Sequence, residues 1–440
     1  MSTAAAAAPV SSASLRKVVL ASMIGTTIEW YDFFLYGSAS ALVFGKLFFP
    51  KSDPHVGTML ALSTYALGFV ARPLGGLVFG HFGDRIGRKQ LLMLSLLLMG
   101  GSTMLIGGLP TFNEVGILAP LALVFLRLVQ GFAVGGEWGG AVLMVTEYGE
   151  ARRRGFWAGW PQAGVPAGNL LAAGVLAVMS ATLTGAQFDA WGWRVPFLLS
   201  AVLVAVGYWV RASLAESPLF QQALADAGQP KAPVIDALRE RPGGIAIGAG
   251  LRVAENISFY VVTTFGLVYI TKYAHVIRNN TEALNAMLIG TAVEVVLIPL
   301  FAALSDRIGR RPLYFAGAVG IAVWGFAFFR LIDTGRQSLI TLAIIGGLVC
   351  HALMYGPQAA FIAELFPTRM RYSGASLAYQ ATSIVAGSLA PIIALALHDR
   401  FNSWVPIAIY LAIAGAISAF SAWKARETKG LTFAEIDAIR

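Results

Sequence analysis

The chain has 440 residues, 57% hydrophobic and only 12% charged, with a mean hydropathy of +0.69 and a formal net charge of +9. A soluble protein carries about 25% charged residues, and a membrane β-barrel shows short alternating segments instead of long apolar runs, so composition excludes both and leaves a helical membrane protein. A lone cysteine, Cys350, excludes an intrachain disulfide. The basic excess needs no nucleic acid to explain it: with the amino terminus placed in the cytoplasm, most Lys and Arg fall in loops on that side.

Residues 1–16, rich in Ala and Ser, read as a disordered cytoplasmic amino terminus. The first apolar run is too long for a cleaved signal and contains Glu29 and Asp32. Apolar runs of roughly twenty residues, each long enough to cross a bilayer, predict twelve helices near 17–45, 56–80, 90–109, 118–147, 155–184, 192–213, 243–273, 282–304, 312–331, 338–364, 372–397 and 403–425. Residues 17–213 are expected to form one six-helix bundle and 243–425 a second, joined by a polar cytoplasmic linker over 214–242 and followed by a charged cytoplasmic tail over 426–440. Within the fourth predicted helix Gly131, Gly135 and Gly139 recur at steps of four, and Gly155 with Gly159 and Gly164 with Gly168 do so in the fifth. Small residues at that spacing let helix backbones approach closely.

Two charged patterns repeat. Gly80, Asp84, Arg85, Gly87, Arg88 and Lys89 follow the second run, and Ala302, Asp306, Arg307, Gly309, Arg310 and Arg311 stand in the same register about half a chain later. Glu147 with Arg152 and Arg154 has its counterpart in Glu364 with Arg369 and Arg371. Paired turns at half-length imply an internal duplication. The basic residues hold these loops in the cytoplasm, while Asp84, Glu147 and their second-half counterparts can meet arginines of neighbouring helices, which makes the group a candidate gate that latches the halves in one state.

These motifs resemble the signature loops of the major facilitator superfamily. Glu427 to Gly430 is similar to the ending seen in its sugar porters, with Arg426 where they have proline. The stretches around Gly25–Phe34, Arg72–Gly76, Arg127–Gly140 and Trp191–Phe197 resemble the metabolite:proton symporter branch, whose members carry shikimate, 2-oxoglutarate, citrate and related acids, or proline and betaine. The resemblance covers about residues 15–425. It implies an all-α membrane protein of twelve transmembrane helices in two pseudo-symmetric halves, the major facilitator fold, working by alternating access in the inner membrane as a monomer. Ala302 replaces the motif's glycine, and Gly159, Pro161 and Gly164 depart from the pattern of drug/proton antiporters.

Charges inside the spans carry the functional argument, since each costs on the order of 2.5–3.5 kcal/mol at mid-bilayer and must face the interior with partners. Glu29 and Asp32 share a helical face. Two close carboxylates in low dielectric do not both ionise cheaply, so one holds a proton: Asp32 is the expected proton site and Glu29 its partner, with Glu137 and Glu294 as further candidates. Arg72 lies near the midplane, where carriers bind substrate, and its forked guanidinium suits a carboxylate, unless a salt bridge to Asp32 or Glu29 claims it. Arg127, Tyr36, Gln162, Arg252, Glu255, Asn256, Tyr260, Tyr355, Gln358 and Gln380 are further expected contacts, with His351 on one polar stripe with Tyr355 and Gln358. Arg252 and Glu255 are also spaced for a local ion pair.

Together these point to proton symport of a small organic acid, with the proton as coupling ion, no other cofactor, and the lipid bilayer as surroundings. The alternatives are proton symport of a zwitterionic osmolyte and a transporter-like receptor. No phosphate-binding loop, metal-ligand spacing or nucleophile elbow is present in the sequence, so an enzyme is not expected.

Overall fold

The computed structural model describes residues 12–52, 54–86, 88–148, 150–213, 233–274 and 280–438. Among them every regular element is helical, and twelve helices are long and apolar enough to span a membrane. They are α1 (Ser12–Ala39), α2 (Pro54–Ile86), α3 (Arg88–Gly107), α4 (Leu118–Tyr148), α5 (Arg154–Thr182), α6 (Arg194–Ala212), α7 (Pro242–Tyr260, continued through π turns at Val261–Phe265 and Tyr269–Tyr273), α8 (Asn280–Ile308), α9 (Arg310–Asp333), α10 (Gln337–Ala363), α11 (Arg371–Gln380, a π turn at Ser383–Ser388, then Leu389–Phe401) and α12 (Val405–Lys424). The first helix begins at Ser12, earlier than the sequence predicts, and a short helix, Pro233–Glu240, occupies the end of the expected linker. The rest of that linker and residues 1–11 lie outside the described residues.

Helix pairings repeat between the halves. In the first, α2 packs on α4, α3 on α4 and α6, and α1 on α5 and α6; in the second, α8 packs on α10, α9 on α10 and α12, and α7 on α11 and α12. The halves meet along two seams, α5 against α8 and α2 against α11, related by the same repeat.

Glycine sets these approaches. A methyl group added at Gly131 would lie 1.9 Å from the Gly68 carbonyl oxygen, and one at Gly135 would lie 2.1 Å from that of Arg72, so α2 and α4 touch backbone to backbone. On α5, Gly164 and Gly168 face α1, while Gly155 and Gly159 face Ala302 of α8. Ala302, the departure from the motif glycine, is fully buried in the recess Gly159 leaves. Large apolar side chains such as Trp209, Val323 and Phe125 remain on the outside, where lipid covers them.

Candidate functional site: a central cavity between the halves

Midway along the helices a cavity of about 20 Å³, room for a single water, is lined by α1, α2, α5, α7, α10 and α11. Of the expected substrate contacts, Arg72, Arg252, Glu255, Asn256, Tyr260 and Tyr355 line it. Trp30, Phe259, His351 and Tyr379 complete the polar and aromatic part of the wall.

Arg72 is buried, at 3% exposure, and makes no salt bridge to Asp32 or Glu29. Its guanidinium carbon lies 4.1 Å from the Phe69 ring centroid, 4.3 Å from Phe33 and 5.4 Å from Trp30. The rings stabilise the cation through their faces but accept no in-plane hydrogen bonds. Nε and Nη2 accordingly have no partner among the described residues. Unsatisfied buried donors on a permanently charged fork are costly, and an anion in the cavity relieves that cost.

Across the cavity the cation is already balanced. Arg252 Nη1 donates to Glu255 Oε2 at 2.8 Å, the local pair its spacing predicts, and stacks 3.4 Å over the Tyr379 ring. Glu255 also accepts from Gln358 Nε2 at 3.1 Å and faces His351 Nε2 at 3.2 Å. The other imidazole nitrogen, Nδ1, bonds Glu294 of α8.

Several expectations are corrected. Glu29 does not partner Asp32. It pairs with Arg211 Nη1 at 2.7 Å, whereas Asp32 accepts from Ser200 and leaves Oδ2 without a hydrogen bond among the described residues. The two acids share a helix face, but α6 supplies each with its own partner. Arg211 stands one residue from the end of α6 and is 2% exposed, so it belongs with the buried charges and not with the loop cations. Tyr36, Arg127, Gln162, Gln358 and Gln380 do not line the central cavity. Tyr36 bonds Thr64, and Arg127 bonds Gln130 and the Tyr65 carbonyl beneath the Phe33, Tyr36 and Tyr65 rings. Gln162 is held by Trp138 Nε1 and the Tyr355 carbonyl, Gln380 donates to the Gly135 carbonyl, and Gln358 backs Glu255 and the Tyr314 hydroxyl. These amides tie helices together, and Gln380 keeps Oε1 without a partner among the described residues. The Glu137 side chain lies outside the described residues.

A second cavity, about 260 Å³, lies nearer the ends of α1 and α7 and the start of α8, lined by Phe34, Tyr65, Asn169, Thr263, Leu267 and Met287 among others. Phe34 and Phe259, with ring centroids 6.1 Å apart, stand between it and the central cavity.

The opposite ends, where the charged motifs lie, are tied shut. Asp306 accepts from the backbone N–H groups of Gly155 and Phe156 at 2.9 and 2.8 Å, at the amino terminus of α5. Arg310 holds Asp306 at 2.7 Å and Glu364 at 3.4 Å; Arg154 reaches Glu364 across the halves at 2.8 Å, and Arg371 lies 3.7 Å from Glu147. Burial pushes the Glu364 carboxyl up, but Arg310 and Arg154 outweigh it and hold it below the ordinary glutamate value. The tail, expected only as a charged end, closes over this network. Thr428 donates to Glu364 at 2.5 Å, and the Phe433 ring lies between Arg154 and Arg371, 3.8 and 3.6 Å from their guanidinium carbons. Arg307 is exposed and forms no ion pair among the described residues. Gly80 approaches Ser373 of α11. Gly87 lies outside the described residues, as do the side chains of Asp84, Arg85 and Arg88.

The family model for sugar (and other) transporters matches residues 17–235 and 252–439. The chain is 42% identical to the shikimate transporter of Escherichia coli (strain K12), over 92% of this chain and 93% of that one. It is 40% identical to the inner membrane metabolite transport protein YhjE of the same organism, covering 94% and 95%, and 34% identical to its proline/betaine transporter, covering 96% and 87%. Among solved structures, the proton:xylose symporter XylE bound to 6-bromo-6-deoxy-D-glucose superposes with a TM-score of 0.78 at 19% identity, covering 97% of this chain and 99% of that one. The fold, the duplicated loops and these relatives place the chain in the sugar and metabolite transporter family of the major facilitator superfamily, as a multi-pass membrane transporter of a small metabolite and not an enzyme.

Proposed function

We propose that the protein is a proton-coupled symporter of the inner membrane that imports a small organic acid bearing one carboxylate. The observation that carries this is Arg72. It is the cavity's uncompensated cation, since Arg252 is neutralised by Glu255. One free guanidinium fits one carboxylate bidentately. A second or third carboxylate would meet Glu255 and be repelled, which favours a shikimate-like acid over citrate or 2-oxoglutarate. The aromatic wall of Trp30, Phe259, Tyr260 and Tyr355 suits a flat or cyclic carbon skeleton.

Asp32 supplies the proton site in this reading. A fully buried carboxyl with no cation beside it among the described residues is most cheaply kept as the neutral acid. The charged-motif ends are the cytoplasmic side by the positive-inside rule, and their ion pairs across the halves make this an inward-closed state. Substrate enters from the larger cavity past Phe34 and Phe259, and the halves rock to release it inward. The central cavity must widen for this, because its present volume holds only water.

The test is uptake into proteoliposomes under an imposed inward proton gradient, with labelled shikimate, 2-oxoglutarate, citrate, proline and betaine, each with and without protonophore. Shikimate accumulation that collapses with protonophore is expected, and Asp32→Asn should keep exchange but lose accumulation. Betaine or proline accumulation alone would overturn the acid reading and move the protein to the osmolyte class of its 34% identical relative.

A further inference from the structure

We propose a second proton-binding site, in the half opposite Asp32, at the imidazole of His351 where it bridges Glu255 and Glu294. The argument is a count of hydrogens. His351 of α10 places Nδ1 on Glu294 Oε1 of α8 and Nε2 on Glu255 Oε1 of α7, the second at 3.2 Å. Each nitrogen–oxygen contact needs one hydrogen between lone pairs. A neutral imidazole has one N–H and an ionised carboxylate has none. Two contacts therefore require one hydrogen more than a neutral histidine between two carboxylates supplies. Glu255 is paired with Arg252 and accepts from Gln358, which keeps it ionised, so the extra proton sits on the imidazole or on Glu294.

The surrounding charges agree. The titratable and charged groups facing the imidazole are Glu255 and Arg252 from α7, Glu294 from α8, Tyr355 from α10 itself, Tyr379 from α11 and Arg72 across the cavity. Arg252 and Glu255 cancel. With the extra proton, His351 and Glu294 also cancel. Without it Glu294 is a fully buried carboxylate whose ion-pair contact among the described residues is a neutral ring, since Arg72, the cation that would offset its charge, makes no ion pair with it, and burial penalises such a charge heavily. All four members of the cluster are at most 4% exposed.

The site is placed to be read by substrate. His351, Glu255 and Arg252 line the central cavity, whereas Glu294 lies behind them. Loss of the proton leaves one contact with lone pairs only, so α10 must part from α7 or from α8. The use of this site in transport rests on the symport reading; its existence does not.

Cys350 is the only cysteine in the chain. Labelling cysteine at its carbonyl carbon and histidine at every carbon and nitrogen lets the signal be selected at the Cys350–His351 peptide bond and relayed along the histidine carbons to the ring nitrogens, which marks the His351 imidazole among the five histidines with no substitution. In wild-type protein reconstituted in nanodiscs at about pH 8, where an ordinary imidazole (~6.5) is neutral, the nitrogen spectrum is expected to show a doubly protonated ring, or a singly protonated ring with Glu294 as the carboxylic acid. Glu294→Gln should leave a neutral ring, and Asp32→Asn should leave the wild-type signature in place. A neutral ring beside an ionised Glu294 in the wild type would overturn the proposal, as would loss of the signature on Asp32→Asn. Either result can be obtained whether or not any acid is transported.

Discussion

Arg72 separates charge from geometry at the scale of one side chain. Lysine at this position keeps the cation, but an ammonium offers no planar fork and stacks less well on Phe33 and Phe69. Arg72→Lys is expected to weaken substrate binding by about 2 kcal/mol, on the order of thirty-fold, and Arg72→Ala by more, with both variants still folding, because no carboxylate in the described residues depends on Arg72. Binding measured by calorimetry on detergent-purified protein checks this; a Lys variant with wild-type affinity would reduce Arg72 to a point charge. The sequence exposed Arg72, Arg252 and Glu255 because a charge in a long apolar run is expensive whatever surrounds it. Beyond the local Arg252–Glu255 pair, it did not show who pairs with whom. Glu29 finds Arg211 on α6, and Glu294 finds His351, because partners are chosen by depth and packing between helices, which helical spacing within one segment does not encode. Arg211 was hidden further by its place at the end of an apolar run, where a cation looks like a loop residue.

Among elements, α2 owes its position to glycine. The α2–α4 contact, with Gly68 and Arg72 carbonyls against Gly131 and Gly135, leaves no space for a methyl group. Gly135→Ala must push α2 away at Arg72 itself. Overpacking of this kind costs about 1–3 kcal/mol, and here the displacement falls on the ligand residue, so transport is expected to fall more than stability. Gly174→Ala on α5, where an added methyl meets nothing within 4 Å, is the matched control. Thermal denaturation and initial uptake rates of the two variants distinguish the outcomes, and equal losses in both assays would mean that Gly135 serves packing alone. The four-residue glycine steps were legible as close-packing signals, though not which neighbour each step faced: α5 turns Gly155 and Gly159 to α8 but Gly164 and Gly168 to α1. The π turns of α7 and α11, which begin just past the cavity residues Tyr260 and Tyr379, left no trace in hydrophobic periodicity. A π turn adds a residue to one turn without changing composition.

The whole molecule is held in its present state by ion pairs that join the halves at the charged-motif ends, with Glu364 at their centre. Its duplicated loops were readable as a repeated pattern, and twelve spans follow from hydropathy alone. The tail's part was not, since a short charged segment shows nothing of where Phe433 will lie. Glu364 binds its proton more weakly in the folded network than an ordinary glutamate, because Arg310 and Arg154 outweigh its burial. A carboxyl of that kind stabilises the closed network fully above the ordinary glutamate range (~4.3) and stops doing so only as pH falls through its lowered folded value. The network is therefore insensitive to pH across the neutral range, and any pH dependence of opening there arises from the buried acids and His351. Spin labels at Arg152 and Arg307, exposed on opposite halves in a Cys350→Ala background, report the separation of these ends. Between about pH 8 and 5.5 the closed distance is expected to persist if Asp32 and the His351 cluster keep their protons. Glu364→Gln leaves Arg154 and Arg310 short of a buried partner at a cost of about 3–5 kcal/mol, enough to shift the closed-to-open ratio more than a hundred-fold, and should show the long distance at every pH. If the wild type opened in acid and Glu364→Gln abolished that response, Glu364 would be the pH sensor and the division of labour between gate and proton sites would be wrong.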